Sequence, residues 1–257
     1  MDRTGLSQKL IVEFIGTFAL CFAGPAAIVL TGGGDLVAIG LAHGLAIGLM
    51  VMAAGHISGG HFNPAVTVAM IATRRIDGAT GGAYIAAQLL GGVGGALAVR
   101  LTTEETLRNA VQLGVPSVGL GHSNGGALFM EGILSFFLVF VIFGAAVDPR
   151  SSKSIAGLVI GLTITMDIFA GGAVSGAAMN PARWFGPAIV QTQLDDFWIW
   201  IIGPIAGALV AAFIYNDVLL KDVRPTAAAG VPGEVHEVQD VTASRPSGAS
   251  EARRRRK

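Results

Sequence analysis

The chain has 257 residues, of which 52% are hydrophobic and only 13% are charged, with a formal net charge of zero. A water-soluble domain carries about 25% charged residues, so this chain has too little polar surface to cover a globule in water, and lipid must cover the rest. The lone Cys21 allows no intramolecular disulfide, and no nucleic-acid partner is expected.

A bilayer span takes roughly 20 apolar residues, and six stretches qualify. The first, 10–30, contains Glu13, is longer than a signal core and is followed by no small-residue cleavage site, so no cleavable signal peptide is expected. The second, 36–54, places Gly40, Gly44 and Gly48 on one face, as small residues do where membrane helices cross closely. Next comes 63–72, which is apolar but too short to cross. It opens on Asn63-Pro64, an N-cap followed by the residue favoured at the first helical position. The third span, 81–99, carries Gly91 and Gly95. The fourth and fifth are 127–147 and 155–173. A second short piece, 180–190, again opens on Asn-Pro, and the sixth span, 197–215, echoes the third with Gly203 and Gly207. A short helix at membrane depth survives only if its free end is buried in protein or faces a water-filled cavity, so both short pieces read as re-entrant half-helices.

Basic residues set the orientation. Arg3, Lys9, Arg74, Arg75, Arg150, Lys153, Lys221 and Arg224 share one side, against Arg100 and Arg108 on the other. Both termini are therefore expected in the cytoplasm of a multi-pass protein, with the plasma membrane as the expected location. Glu13 precedes Asn63 by nearly the same interval as Glu131 precedes Asn180. Three spans per half invert the second half relative to the first and place a site at the midplane between them. The expected fold is all-α: six transmembrane helices plus two half-helices, in a channel domain over 1–220 with repeats at about 8–100 and 126–218. From 221 to 257 the chain turns polar and proline-bearing and ends in the basic run 253–257, a disordered cytoplasmic tail whose last residues could touch anionic lipid.

The run from Gly59 to Thr67 holds His61-Phe62-Asn63-Pro64-Ala65, and the run from Gly176 holds Met179-Asn180-Pro181-Ala182-Arg183. Two Asn-Pro-Ala motifs at matching depths in a six-span inverted repeat resemble the signature loops of the aquaporin (major intrinsic protein) family, over roughly residues 8–218. The resemblance implies a passive channel, not an enzyme, without cofactor or metal, and a homotetramer in the lipid bilayer with one pore per protomer. The physics is independent of the name. Each half-helix aims unsatisfied N–H groups and a partial positive charge at the membrane centre, which repels cations and protons. Asn63 and Asn180 can cap with the side-chain oxygen while offering an amide N–H to a passing molecule.

Arg183 lies one turn past Asn180, about 4.5 Å farther along its half-helix. His43 in the second span and Ile168 in the fifth fall at a similar depth. By resemblance, the family's selectivity filter falls on His43, Ile168, Ala177 and Arg183. That set resembles the ammonia- and peroxide-permeable branch, which includes plant vacuolar aquaporins, more than the strict water channels. Two positions depart from the family pattern: Trp184 after Arg183, and Trp200-Ile201 in the last span. They leave a broader glycerol or urea facilitator as the alternative.

Glu13 and Glu131 are intramembrane carboxylates, costly unless paired. They are expected to accept hydrogen bonds from the two motif-bearing loops, and Asp167 is expected to behave similarly. His56 and His61 flank the first loop, where a structural or vestibule role is expected. Gly121-His122-Ser123-Asn124-Gly125 matches the G-x-S-x-G string of hydrolases, but a loop setting gives that string no force. No metal-binding motif is present, and no set of acidic ligands suits a coupled transporter.

Overall fold

The computed structural model describes residues 5–223. Residues 224–257 of the expected tail, including the basic run 253–257, lie outside the described residues. In chain order the helices are α1 (Leu6–Leu30), α2 (Leu36–Ser58), α3 (Pro64–Ala72), α4 (Gly78–Thr102), α5 (Glu105–Ala110), α6 (Asn124–Ile142), α7 (Ala156–Ser175), α8 (Pro181–Gln191) and α9 (Ile199–Phe213). Among the described residues six helical stretches are long and apolar enough to cross a membrane: α1, α2, α4, and the stretches Asn124–Val147, Lys153–Ser175 and Ile199–Leu219 that contain α6, α7 and α9. The short helices α3 and α8 lie between spans. Six crossings return the chain to the side on which it began; that side is called the terminal side below, and the opposite one the far side.

Local chemistry sets the helix ends. The side chains of Asp35, Asp77 and Ser123 accept the N–H groups of Ala38, Thr80 and Gly126 at 2.9, 2.9 and 3.1 Å, which satisfies donors that an uncapped helix start leaves orphaned. Ser123, the centre of the hydrolase-like string, is thus the N-cap of α6. At the other end, α2 and α7 stop at Gly59 and Gly176 with φ of 97° and 77°, a left-handed turn that glycine enters without steric cost. The helix α2 runs four residues beyond the expected 36–54 because Ser58, polar in sequence, finds a buried partner in the bundle.

The two halves pack alike. The helix α1 lies on α4, where a Cβ on Gly91 would overlap the carbonyl of Phe14. The helix α6 lies on α9, where a Cβ on Gly207 would overlap the carbonyl of Gly132. Between the halves, α2 crosses α7 with Gly44 and Gly161 facing each other's backbone. Side chains of any size would push these helix pairs apart, and with them the loops they carry.

Leu45, Leu49, Phe129, Ile202 and Val210 are at least half exposed, while Glu13, Glu131, Asn63, Asn180, His43 and Arg183 are buried. Water-soluble proteins arrange these residue types the other way round. In a bilayer the apolar exterior meets lipid, and the polar interior marks a pathway or its supports.

Candidate functional site

The half-helices α3 and α8 meet N-terminus to N-terminus. The side-chain oxygen of Asn63 accepts the N–H of Ala65 at 2.8 Å, and that of Asn180 accepts the N–H groups of Ala182 and Arg183 at 2.9 and 3.3 Å. Pro64 and Pro181 occupy the first helical position, where a missing N–H costs nothing. The two amide groups then cross over: Asn63 Nδ2 donates to the carbonyl of Met179, and Asn180 Nδ2 to the carbonyl of Phe62, each at 2.9 Å. Each amide keeps its second N–H for something else. Phe62 and Met179 stand at φ of 50° and 53°, a left-handed conformation uncommon for side chains of their size. Strain of that kind persists only where the surroundings over-determine it.

Two carboxylates do so. Glu13, fully buried on α1, accepts from Ser58 Oγ at 2.6 Å, from the N–H groups of His61 and Phe62 at 3.0 and 2.7 Å, and from Gln88 Nε2 at 2.8 Å. Glu131, equally buried on α6, accepts from Ser175 Oγ at 2.7 Å and from the N–H groups of Ala178 and Met179 at 2.9 and 2.7 Å. Hydrogen bonds to a charged group contribute about 1.5–3 kcal/mol each, enough to hold a strained loop in place.

Arg183 comes next along α8 and is 2% exposed. Its Nη1 donates to the carbonyl of Gly114 at 2.9 Å and its Nε to His43 Nε2 at 3.1 Å. His43 Nδ1 lies 2.8 Å from the carbonyl of Ile39. With Nε2 accepting from an arginine, that contact is an Nδ1–H donation, which fixes the tautomer. Gly24 makes room for the ring, which occupies the space a Cβ there would need. Both imidazole nitrogens of His43 are therefore committed to the protein, and the ring positions Arg183 instead of offering a free polar group. The bonds to His43 and Gly114 use the Nε–H and one Nη1–H of Arg183.

A cavity of about 340 Å³ reaches from the terminal side past Asn63 and Asn180, and a second of about 390 Å³ opens on the far side. Both are lined by His43 and Arg183, so the narrow stretch between them lies at that pair. Ala177 lines the first cavity and Ile168 the second. Of the four residues expected in one filter, His43 and Arg183 thus line both cavities, while Ala177 and Ile168 each line one. His61 also lines the first cavity, with Nδ1 3.1 Å from Thr67 Oγ1. Asp167 differs from expectation: it is 1% exposed, and neither carboxyl oxygen has a hydrogen-bond partner among the described residues. It lies on α7, and the loop N–H groups of Ala178 and Met179 go to Glu131.

Reading the sequence passed over several contributors. Ser58 and Ser175 stand the same distance before Asn63 and Asn180, a doubled Ser-Gly-x-x-x-Asn-Pro-Ala pattern that was there to be seen. Gly114 had no such signal, because its carbonyl reaches Arg183 only through the folding of the 111–123 loop. At the terminal-side mouth, Asp148 accepts from Arg150 through Nε and Nη2, the latter at 2.6 Å, and from Tyr215 Oη at 3.2 Å. The Arg150 guanidinium holds the Asp148 carboxyl well below the usual carboxylate range.

The profile of the family described as "Major intrinsic protein" matches residues 1–215. The chain is 39% identical over 222 residues to nodulin-26 of Glycine max, covering 84% of this chain and 79% of that protein. It is 41% identical over 211 residues to glycerol uptake facilitator protein-like 6 of Lactiplantibacillus plantarum, covering 80% and 95%. The solved structure of the aquaglyceroporin from Plasmodium falciparum superposes with a TM-score of 0.75 at 26% identity, over 84% of this chain and 98% of that one. The chain therefore belongs to the major intrinsic protein family and is a multi-pass membrane channel for water and small solutes, not an enzyme.

Proposed function

We propose that the pore passes ammonia and hydrogen peroxide as well as water, and excludes protons and ions. The observation that carries this reading is the junction of α3 and α8: two half-helix N-termini face each other, each asparagine caps its own half-helix, reaches the opposite loop and keeps one amide N–H, and Arg183 stands one turn beyond. A positive field at the midplane and a fixed guanidinium at the narrow stretch both repel cations. A water that meets two amide donors is a poor link in a proton-carrying chain. In this reading Asn63, Pro64, Ala65, Asn180, Pro181 and Ala182 form the barrier. His43, Ile168, Ala177 and Arg183 form the filter, and Glu13 and Glu131 support the loops. The apolar wall from Ile168 and the small Ala177 favour a filter wider than one closed by two aromatic rings.

The same reading places both termini in the cytoplasm, the protein in the plasma membrane as a homotetramer, and the channel domain at 1–220. Passage of glycerol or urea is the second reading, favoured by the likeness to an aquaglyceroporin and to a glycerol facilitator-like protein.

Stopped-flow light scattering of proteoliposomes against sucrose, urea and glycerol, with an ammonia-driven pH readout, tests both. The expected result is fast water and ammonia flux and no proton leak. A His43→Phe variant should lower ammonia flux more than water flux, because it leaves Arg183 Nε unpaired and fills the opening. An unchanged ammonia-to-water ratio in a normally inserted His43→Phe protein would remove His43 from the filter.

A further inference from the structure

Trp184 and Trp200 are both 2% exposed, and their rings lie parallel, with centroids 5.7 Å apart and planes 4° apart. Aromatic pairs at such spacing favour an offset stack, which holds both rings in register. Trp184 follows Arg183 in the first turn of α8. Trp200 sits in the first turn of α9, and its indole N–H donates to the carbonyl of Ser175 at 2.9 Å. Ser175 ends α7. Its hydroxyl donates to Glu131 at 2.7 Å and accepts the N–H of Ala177 at 3.2 Å. One side chain of α9 thus grips both ends of segment 175–184, by a hydrogen bond at Ser175 and by a stacked ring at Trp184.

Between those ends lie Ala177, Asn180 and Arg183. Ala177 is held at φ 43°, in the left-handed region, which alanine adopts only where its surroundings impose it. Val115, Ala127 and Ala178 pack around the two indoles, so water cannot replace the Trp200–Ser175 bond, and a buried indole N–H without a partner is costly. The first repeat grips its own loop with different groups. Tyr84 Oη donates to the carbonyl of Ser58 at 2.7 Å, and Gln88 Nε2 reaches Thr67 Oγ1 at 2.9 Å. Thr67 stands as far past Asn63 as Trp184 stands past Asn180.

We infer that the Trp184–Trp200 pair is a specificity-determining splint that sets the spacing of Ala177 and Arg183, and so the largest solute the opening admits. The inference rests on the reading of Ala177 and Arg183 as the filter. The pair touches no solute; it positions the two groups that do. Slack in the splint widens the opening, which favours solutes larger than water while water, already small enough, gains little.

The test is the urea-to-water permeability ratio in proteoliposomes of the full chain. Trp200→Phe keeps the ring and removes the N–H; Trp184→Leu removes the stack. Each is expected to raise the ratio about threefold to tenfold, the range one lost hydrogen bond or stack permits. The double variant should not exceed the larger single change, because both break one splint. Trp184→Phe, which keeps a ring to stack, should restore a ratio near wild type. So should Trp198→Phe, which alters the same cluster without touching Ser175. If either decisive variant fails to insert, the other decides. An unmoved ratio in an inserted, water-passing variant overturns the splint, as does an equal rise in Trp198→Phe. Absence of water flux in the wild type would instead overturn the channel reading, and an unmoved ratio in Arg183→Val would overturn the filter.

Discussion

The two half-loops are built to one plan and end in different chemistry. Both run from a helix-ending Ser-Gly to a left-handed residue, a capping asparagine and a proline, and in both that left-handed residue bonds a buried glutamate, 49 residues upstream in the first loop and 48 in the second. One turn past the asparagine they part: α3 presents Val66, which lines the terminal-side cavity, and α8 presents Arg183 at the narrow stretch. The inverted repeat supplies the midplane junction, which needs two equivalent halves, while the proposed filter rests on a position the repeat does not match, Arg183 against Val66. Supports follow the same split. The first loop is held from α4 by polar Tyr84 and Gln88, and the second from α9 by an indole that also stacks.

The largest effect is expected where the halves are most alike. Glu131→Ala strands the Ser175 hydroxyl and two loop N–H groups, and at about 1.5–3 kcal/mol per bond to a charged group the loss rivals the whole stability of a typical domain. Folded, detergent-stable protein should disappear. Glu13→Ala, which strands four donors, should be no milder. Thermal melting followed by size-exclusion chromatography measures both, and a well-folded Glu13→Ala beside an unfolded Glu131→Ala would break the equivalence.

Next comes the position where the halves differ. Arg183→Val gives the second loop the residue of the first. Urea and glycerol flux relative to water should rise about tenfold, as expected for losing roughly 1.4 kcal/mol of discrimination, with water flux retained. The readout is the same stopped-flow ratio.

A smaller but sharper change concerns charge. Asn63→Asp and Asn180→Asp can each still cap their half-helix, but each loses the amide donor to the opposite loop and adds a negative charge against a partial charge of about +0.5 per helix end. Cation conductance in planar bilayers should become measurable in both, and to similar extents. If both variants insert, pass water and stay cation-tight, the barrier lies elsewhere.

The smallest effect belongs to the terminal-side mouth. A carboxyl whose folded-state pKa is depressed stabilises the fold above its unfolded pKa and loses that contribution as pH falls through the folded value. For Asp148 the window therefore lies on the acid side of the ordinary carboxylate range. Melting temperature should fall through that window in the wild type and less in Asp148→Asn. The difference should be slight, because Arg150 is 60% exposed and its attraction is screened by solvent.

Much of this was legible in the residues alone. Span number and the two short pieces follow from apolar length, because a bilayer imposes one thickness on every crossing helix. The half-helix starts follow from Asn-Pro, a cap whose signal is local. The paired spacing of glutamate and asparagine exposed the repeat. Tertiary structure decided everything that depends on which groups meet. Glu131 collects three donors while Asp167 collects none among the described residues, although both are acidic residues in apolar helices. His43 was expected in the filter, but its sequence position did not show that the backbone of Ile39 and the guanidinium of Arg183 use both of its nitrogens. Trp184 and Trp200 looked like departures from a pattern and turned out to face each other. Apolar length and helix caps are properties of neighbours along the chain, so sequence carries them. Partnership among buried polar and aromatic groups joins residues far apart along the chain, and only the packed bundle brings them within reach.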